Sequence, residues 1–181
     1  MKKNLLSALL LLSLLLSGCG SRAAQSRFAS FSEALAGRET LSFTAELRAE
    51  YPDRSVRFTL RYEKDAEGET VTVLAPSEVE GIAARIAPDS SALVYDGMIL
   101  DLPPMDPYGL TPMSALPRLY DALAHGHPDS FREEDGMTVW RLICDDHIAA
   151  EVWFDGDMIP LRCELASDEN VCIFCELSDW S

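Results

Sequence analysis

Residues 41–51 read LSFTAELRAEY, and this stretch decides the fold class. Apolar residues occupy every odd position from Leu41 to Tyr51, and polar or charged residues occupy the even positions between them. Such alternation indicates a β-strand with one buried face and one wet face. A strand of this kind is typical of an antiparallel sheet that is covered on one side only.

The same alternation continues along most of the chain. Two further long strands follow at 56–63 and 70–75, after turns at Pro52-Asp53 and Glu67-Gly68. Asp96-Gly97 is a two-residue turn of the kind that joins the arms of a β-hairpin. The remaining expected strands are 81–87, 92–95, 98–102, 137–143, 148–155, 159–166 and 171–177.

Two segments have helical periodicity instead. Over 27–38, apolar residues recur at intervals of three and four, which places them on one face of a helix. A second helix is expected over 114–124, with Pro117 in its first turn. The prolines between 103 and 112 predict a rigid, irregular loop before it.

These elements predict a mainly β (α+β) fold. We expect a large curved antiparallel sheet, an unclosed half-barrel, covered on its concave face by the N-terminal and central helices. A chain of 181 residues fits one domain, which we expect to be monomeric. In the final hairpin, matching the apolar faces places Leu165 opposite Val171 and Cys163 opposite Ile173.

The N-terminus has the features of a secretion signal. Lys2 and Lys3 precede an apolar run over 5–16, which is shorter than the roughly 20 residues that span a bilayer. Leu16-Ser17-Gly18-Cys19 resembles the lipobox of bacterial lipoproteins, which implies cleavage before Cys19 and acylation of its thiol. Two acyl chains suffice for stable anchoring on the extracytoplasmic face of a bacterial membrane. The expected organisation is a signal peptide at 1–18, a lipidated tether at 19–26 and one domain at 27–181.

The order of elements resembles the LolA/LolB-like family of periplasmic lipoprotein carriers. The resemblance rests on SFTA at 42–45 after a helix, on LVYDG at 93–97 before a Pro-rich loop, and on AEVWFD at 150–155 followed by IPL at 159–161. It implies an unclosed barrel whose concave apolar face binds acyl chains under helical lids. It also implies a protein that is not an enzyme, and it contributes no catalytic residues.

The apolar side of the sheet is the candidate ligand-binding surface. It is either a partly open cavity or a core that the helices fill, and the sequence leaves both open. The first predicts binding or transfer of a lipid or of lipoprotein acyl chains. The alternative is a cell-envelope interaction or sensor domain with a closed core, using an edge strand or the loop from 103 to 112. The candidate lining residues are Phe43, Leu47, Phe58, Leu60, Tyr62, Val73, Val152, Phe154, Leu161 and Ile173.

Other functional classes find little support. The formal net charge of −15 argues against nucleic acid, because phosphate binding requires a basic surface. Neither a GxSxG nor an SxxK motif occurs, and no glycine-rich phosphate loop does. We therefore expect no catalytic residues, no cofactor and no enzymatic activity.

The cysteines and histidines have structural explanations. Cys172 and Cys175 form a CxxC motif, but residues three apart on a strand lie on opposite faces about 10 Å apart, too far for a disulfide. Cys163 and Cys175 are expected on one face at diagonal positions, and the disulfide state of these residues and Cys144 stays open. We interpret the histidines and the acidic pairs as turn and loop residues, and expect no metal site. The histidines are His125, His127 and His147, and the acidic pairs include Asp145-Asp146 and Asp155-Gly156-Asp157.

Overall fold

The computed structural model of the protein describes residues 19–87, 90–102, 109–167 and 172–181. These residues form two helices and a single antiparallel sheet of eleven strands. The helices are α1 (Cys19–Ala36) and α2 (Pro112–His125). The strands are β1 (Leu41–Glu50), β2 (Ser55–Asp65), β3 (Gly68–Ala75), β4 (Ala83–Ala87), β5 (Ser90–Tyr95), β6 (Met98–Leu102), β7 (His127–Glu134), β8 (Met137–Ile143), β9 (Ile148–Phe154), β10 (Pro160–Ser167) and β11 (Cys172–Ser178).

The sheet consists of two meanders joined at their centre. Its strand order is β6-β5-β4-β3-β2-β1-β11-β10-β9-β8-β7, so β1 pairs directly with β11. Strands β6 and β7 form the two edges, and within the described residues the sheet is unclosed. The predicted mainly β, unclosed antiparallel architecture is confirmed.

Alternation along the strands gives the sheet two different faces. On β1, the odd positions from Leu41 to Ala49 are buried toward the helices, and we call this side the covered face. The even positions, among them Glu46, Arg48 and Glu50, point to the other side, which we call the open face. One face is therefore apolar and the other is largely charged, as the alternation predicts.

Helix α1 packs on the C-terminal half of the covered face. Its Phe28 ring lies 4.8 Å from the Trp140 ring, and Phe31 meets Phe154 edge-on at 5.1 Å. The helix begins at Cys19 rather than at the expected Arg27, so residues 19–26 are helical. None of the described helices is long and apolar enough to cross a membrane.

Helix α2 packs beside α1 on the covered face, where it contacts β2, β3 and β8. Thr111 caps it, because its hydroxyl accepts the N–H of Ser114 and the Ser114 hydroxyl accepts the N–H of Thr111. The helix starts at Pro112, so Pro117 lies inside it and not in the first turn as expected. The Ser32 hydroxyl of α1 lies 2.7 and 2.9 Å from two carbonyl oxygens in the last turn of α2, which ties the helices together.

Strand β7 is an element that the sequence analysis missed. It carries Pro128 and mostly exposed polar residues, so it has no apolar alternation to detect. Proline is tolerated there because β7 is an edge strand that pairs only with β8. The expected hairpin turn between β5 and β6 is confirmed, since Asp96 and Gly97 both have positive φ, at 47° and 77°.

The expected register of the final hairpin is wrong by two residues. Leu165 lies opposite Ile173, and Cys163 lies opposite Cys175. A slip of two residues keeps every side chain on its own face, so matching the faces cannot distinguish these registers. Val171 is outside the described residues.

Strand β10 also departs from simple alternation. A bulge lies between Pro160 and Arg162, and Leu161 occupies it with 40% of its surface exposed. The expectation that Leu161 lies on the apolar side of the sheet is therefore wrong, because the extra residue changes the side on which Leu161 emerges. Pro160 is buried instead.

We expect Leu60→Ala to lower the free energy of unfolding by about 2–5 kcal/mol, the usual cost of removing a buried leucine side chain. Leu60 is fully buried on the covered face between the sheet and the helices. The matched control is Arg61→Ala, at the next, exposed position of β2, which should change stability by less than about 0.5 kcal/mol. Chemical denaturation measures both values, and equal effects would contradict this assignment of faces.

Candidate ligand-binding site

The covered face is closed to solvent by side chains of the protein itself. Of the ten apolar candidates, eight are buried there, whereas Phe58 is half-buried and Leu161 is exposed. The Phe43 ring lies 4.9 Å from Tyr62 and 4.3 Å from Trp180, and Tyr62 stacks on Tyr120 of α2 at 5.8 Å. Sequence patterning missed the contribution of Trp180, which lies beyond the last strand. Of the two alternatives for this face, the contacts among the described residues favour a packed core.

A groove of about 750 Å³ lies on the opposite, open face. It crosses the centre of the sheet, where β2, β1, β11, β10 and β9 lie side by side. Two aromatic side chains, Trp153 of β9 and Phe174 of β11, contribute its apolar surface. Leu47 and Phe58 are the two predicted lining residues that border it.

Charged residues surround the aromatic side chains of the groove. The groove lining includes three arginines and four glutamates. The register places all of these except Glu134 of β7 in two neighbouring rows across the strands, because each directly opposite pair shares the open face. The first row is Arg57, Arg48, Phe174 and Glu164, and the second is Thr59, Glu46, Glu176, Arg162 and Trp153.

Trp153 is held in place by its charged neighbours. The guanidinium groups of Arg162 and Arg132 lie 4.8 and 5.6 Å from its ring centre, within range of a cation–π interaction. Its indole N–H donates to Glu134 at 3.1 Å. The hydrogen bonds from Trp153 and Arg132 lower the pKa of the Glu134 carboxyl below its ordinary value. This carboxylate therefore stays ionised and keeps the indole ring oriented.

Phe174 is covered in a similar way from the other side of the groove. The guanidinium group of Arg48 lies 4.3 Å from the centre of its ring, and Arg48 also forms an ion pair with Glu50. The sequence contains a signal for this groove that apolar patterning does not detect. Trp153 and Phe174 are large aromatic residues at positions that the alternation assigns to the wet face.

The environments of the cysteine thiols indicate structural rather than redox roles. Cys163 and Cys175 are buried directly opposite one another on the covered face, not diagonally as expected. Cys172 lies on the open face, where its thiol donates to Glu164 at 3.3 Å. The two cysteines of the CxxC motif therefore point to opposite faces, as predicted. All four cysteines 144, 163, 172 and 175 are free.

The histidines and acidic pairs lie at element ends. His125 is in the last turn of α2, and His127 begins β7. The Asp145 carboxylate accepts the backbone N–H groups of His147 and Ile148, which is the turn role expected for this acidic pair. Over the described ranges, no group of three metal-ligating side chains occurs.

Comparison with solved structures identifies the type of fold. A LolA superfamily protein from Nitrosomonas europaea superposes with a TM-score of 0.50 at 10% identity, over 87% of this chain and 92% of that one. The fold is LolA-like. A DUF1329 family protein from Desulfovibrio piger shares this LolA-like arrangement with a TM-score of 0.52 at 9% identity, over 87% of this chain and 91% of that one.

A putative outer membrane lipoprotein-sorting protein domain from Vibrio parahaemolyticus gives a TM-score of 0.48 at 14% identity, over 86% of this chain and 90% of that one. No protein-family model matches the sequence, and no curated protein matches it either. At these identities, the matches with TM-scores of 0.50 and 0.52 establish the fold alone.

We expect the thiols of the folded protein to react slowly with iodoacetamide at pH 8. Burial raises the pKa of Cys144 to about 12, and burial with the hydrogen bond to Glu164 raises that of Cys172 to about 12. The hydrogen bond to Cys175 and burial raise the pKa of Cys163 well above its ordinary value. Because the thiolate is the nucleophile, each shift lowers reactivity.

The measurement is the alkylation rate, followed by mass spectrometry, of residues 19–181 carrying Cys19→Ser. The same chain in concentrated guanidinium is the control and should react at all four remaining cysteines at least about tenfold faster. Equal rates in the folded and unfolded chain would contradict the buried thiol settings.

Proposed function

We propose that this protein is a lipoprotein, anchored through an acylated Cys19 on the extracytoplasmic face of a bacterial membrane, that binds an amphiphilic ligand without catalysing a reaction. The ligand class is a lipid or the acylated terminus of another lipoprotein. The signal peptide is residues 1–18, the acylated segment is 19–26 and the ligand-binding domain is 27–181. The lipobox-like residues 16–19 and the LolA-like fold support this proposal.

The observation that carries the binding proposal is the groove on the open face. Its volume of about 750 Å³ falls within the range of ordinary ligand sites, which is about 300–1,000 Å³. The half-buried Phe174 provides most of the aromatic surface for an acyl chain, Trp153 adds the 8% of its surface that is exposed, and the flanking arginines and glutamates provide polar partners. An amphiphile suits this combination because one end of such a ligand is apolar and the other is charged.

The covered face is the less suitable location for the ligand. A ligand there has to displace α1 and α2, which means separating Phe28 from Trp140 and breaking the Ser32 hydrogen bonds to α2. The open groove requires no such rearrangement. We therefore assign binding to the open face rather than to the apolar face that the sequence nominates.

A second candidate function is a protein-interaction or sensor domain with a closed core. The observation that favours it is edge strand β6, where Met98, Ile99 and Leu100 are 66%, 64% and 61% exposed. An edge strand also presents backbone groups that can pair with a strand of another protein. Residues 103–108 of the Pro-rich loop are outside the described residues, so this candidate rests on β6.

Native mass spectrometry with lipid extraction tests the ligand-binding proposal. The protein is residues 19–181 carrying Cys19→Ser, so that no acyl chain of its own can occupy the groove. We expect a bound lipid mass in the unsubstituted domain, and at least about tenfold weaker binding in Trp153→Ala, because stacked aromatic surface is lost. The matched control is Ile143→Ala, an exposed apolar residue of the same face outside the groove lining.

Two results would contradict this proposal. One is a ligand-free mass together with failure to take up a fluorescent fatty acid, which would favour the interaction domain. The other is equal loss of binding in Trp153→Ala and Ile143→Ala, which would remove the groove as the site. Circular dichroism of each variant excludes unfolding as the cause.

A further inference from the structure

Two pairs of like charges lie side by side in the groove. Arg48 of β1 is directly opposite Arg57 of β2. One row along the same face, Glu46 of β1 is directly opposite Glu176 of β11. All four residues line the groove. Like charges at directly opposite positions of an antiparallel pair destabilise the sheet, so each pair needs a compensating charge.

The protein supplies little of that compensation. Within the described residues, Arg48 forms an ion pair with Glu50, but neither Arg57, Glu46 nor Glu176 has an oppositely charged group within 4.0 Å. Arg162 is opposite Glu176, yet its guanidinium group lies over Trp153 and 3.6 Å from Glu134. The groove thus contains an arginine pair and a glutamate pair with unused capacity for charged partners.

The two pairs have a defined spacing. Glu46 and Arg48 are two residues apart on β1, so their Cα atoms are separated by about 6.8 Å along the strand. A ligand that bridges the rows therefore needs a negative group and a positive group a few ångströms apart. Phe174 lies next to Arg48 in the first row, so apolar surface adjoins the arginine pair, whereas Arg162 separates Glu176 from Trp153 in the second row.

We infer that the groove binds a zwitterionic phospholipid headgroup. Its phosphate lies between Arg48 and Arg57, its ammonium group lies between Glu46 and Glu176, and the acyl chain leaves the phosphate along Phe174, the neighbour of Arg48 in the first row. This inference rests on the proposed function and specifies the ligand class of the same site. A purely anionic headgroup leaves the glutamate pair uncompensated, and a purely cationic one leaves the arginine pair uncompensated.

Isothermal titration calorimetry with water-soluble short-chain amphiphiles tests the inference. The probes have the same two acyl chains and differ in the headgroup, which is phosphocholine, phosphoglycerol or trimethylammonium. The protein is residues 19–181 carrying Cys19→Ser. We expect the phosphocholine lipid to bind at least about tenfold more tightly than either singly charged probe, the scale of one charged hydrogen bond.

Two substitutions should shift this preference in opposite directions. Arg57→Gln should weaken binding of the zwitterionic and anionic probes about tenfold and leave the cationic probe unchanged or stronger. Glu46→Gln should weaken the zwitterionic and cationic probes and strengthen the anionic one. Arg57→Lys restores the charge and should recover part of the lost affinity. The control is Arg61→Gln, on the same face of β2 but outside the groove lining.

The outcomes separate this inference from the proposed function. Equal binding of the three probes, or no shift of preference in Arg57→Gln and Glu46→Gln, overturns the headgroup assignment and leaves ligand binding standing. Glycerophosphocholine is the headgroup without acyl chains. If it binds as tightly as the lipid, the claim that the ligand is an amphiphile is wrong. Absence of binding by any probe to the folded protein, together with a ligand-free mass in the native mass spectrum, defeats the proposed function itself. Both substituted residues are exposed, and thermal unfolding checks that each variant is folded.

Discussion

The pairing of β1 with β11 is the interaction on which the rest of the molecule depends. Each half of the sheet is a local meander, and the halves form one sheet only because Ala45 lies opposite Leu177 and Leu47 opposite Cys175. The helices need both halves, since α1 packs on the aromatic rings of β8 and β9 while α2 contacts β2 and β3 of one half and β8 of the other. This pairing brings together two strands that are far apart in the sequence, which lowers the conformational entropy of the chain. Burial of apolar side chains on the shared covered face offsets that cost.

The groove lies across the same pairing. Arg57 and Arg48 come from the N-terminal meander, whereas Phe174, Glu176 and Trp153 come from the C-terminal one. The site therefore exists only in the completed sheet, and a ligand bound there stabilises the pairing because it binds the folded state alone. The packed core and the groove occupy opposite sides of the same central strands.

Most of the fold was predictable because apolar alternation is strong in the central strands, as in β1 and β2. The errors arose where a different physical rule applied. Strand β7 has little apolar surface to bury, Leu161 lies in a bulge, and the register of the final hairpin depends on a connection rather than on the faces. The groove on the open face was not predicted for a related reason. Apolar patterning identifies what is buried, whereas the groove is formed by Arg48, Trp153 and their neighbours on the charged side, and their proximity depends on register across five strands.

Helix α1 begins at Cys19, and Arg27 already donates a hydrogen bond to the carbonyl oxygen of Gly156 in the loop after β9. On the proposed acylation of Cys19, the spacer between bilayer and domain is then two turns of helix, about 12 Å long, and not a flexible chain. The length of one helix would then set how far the groove lies from the bilayer surface.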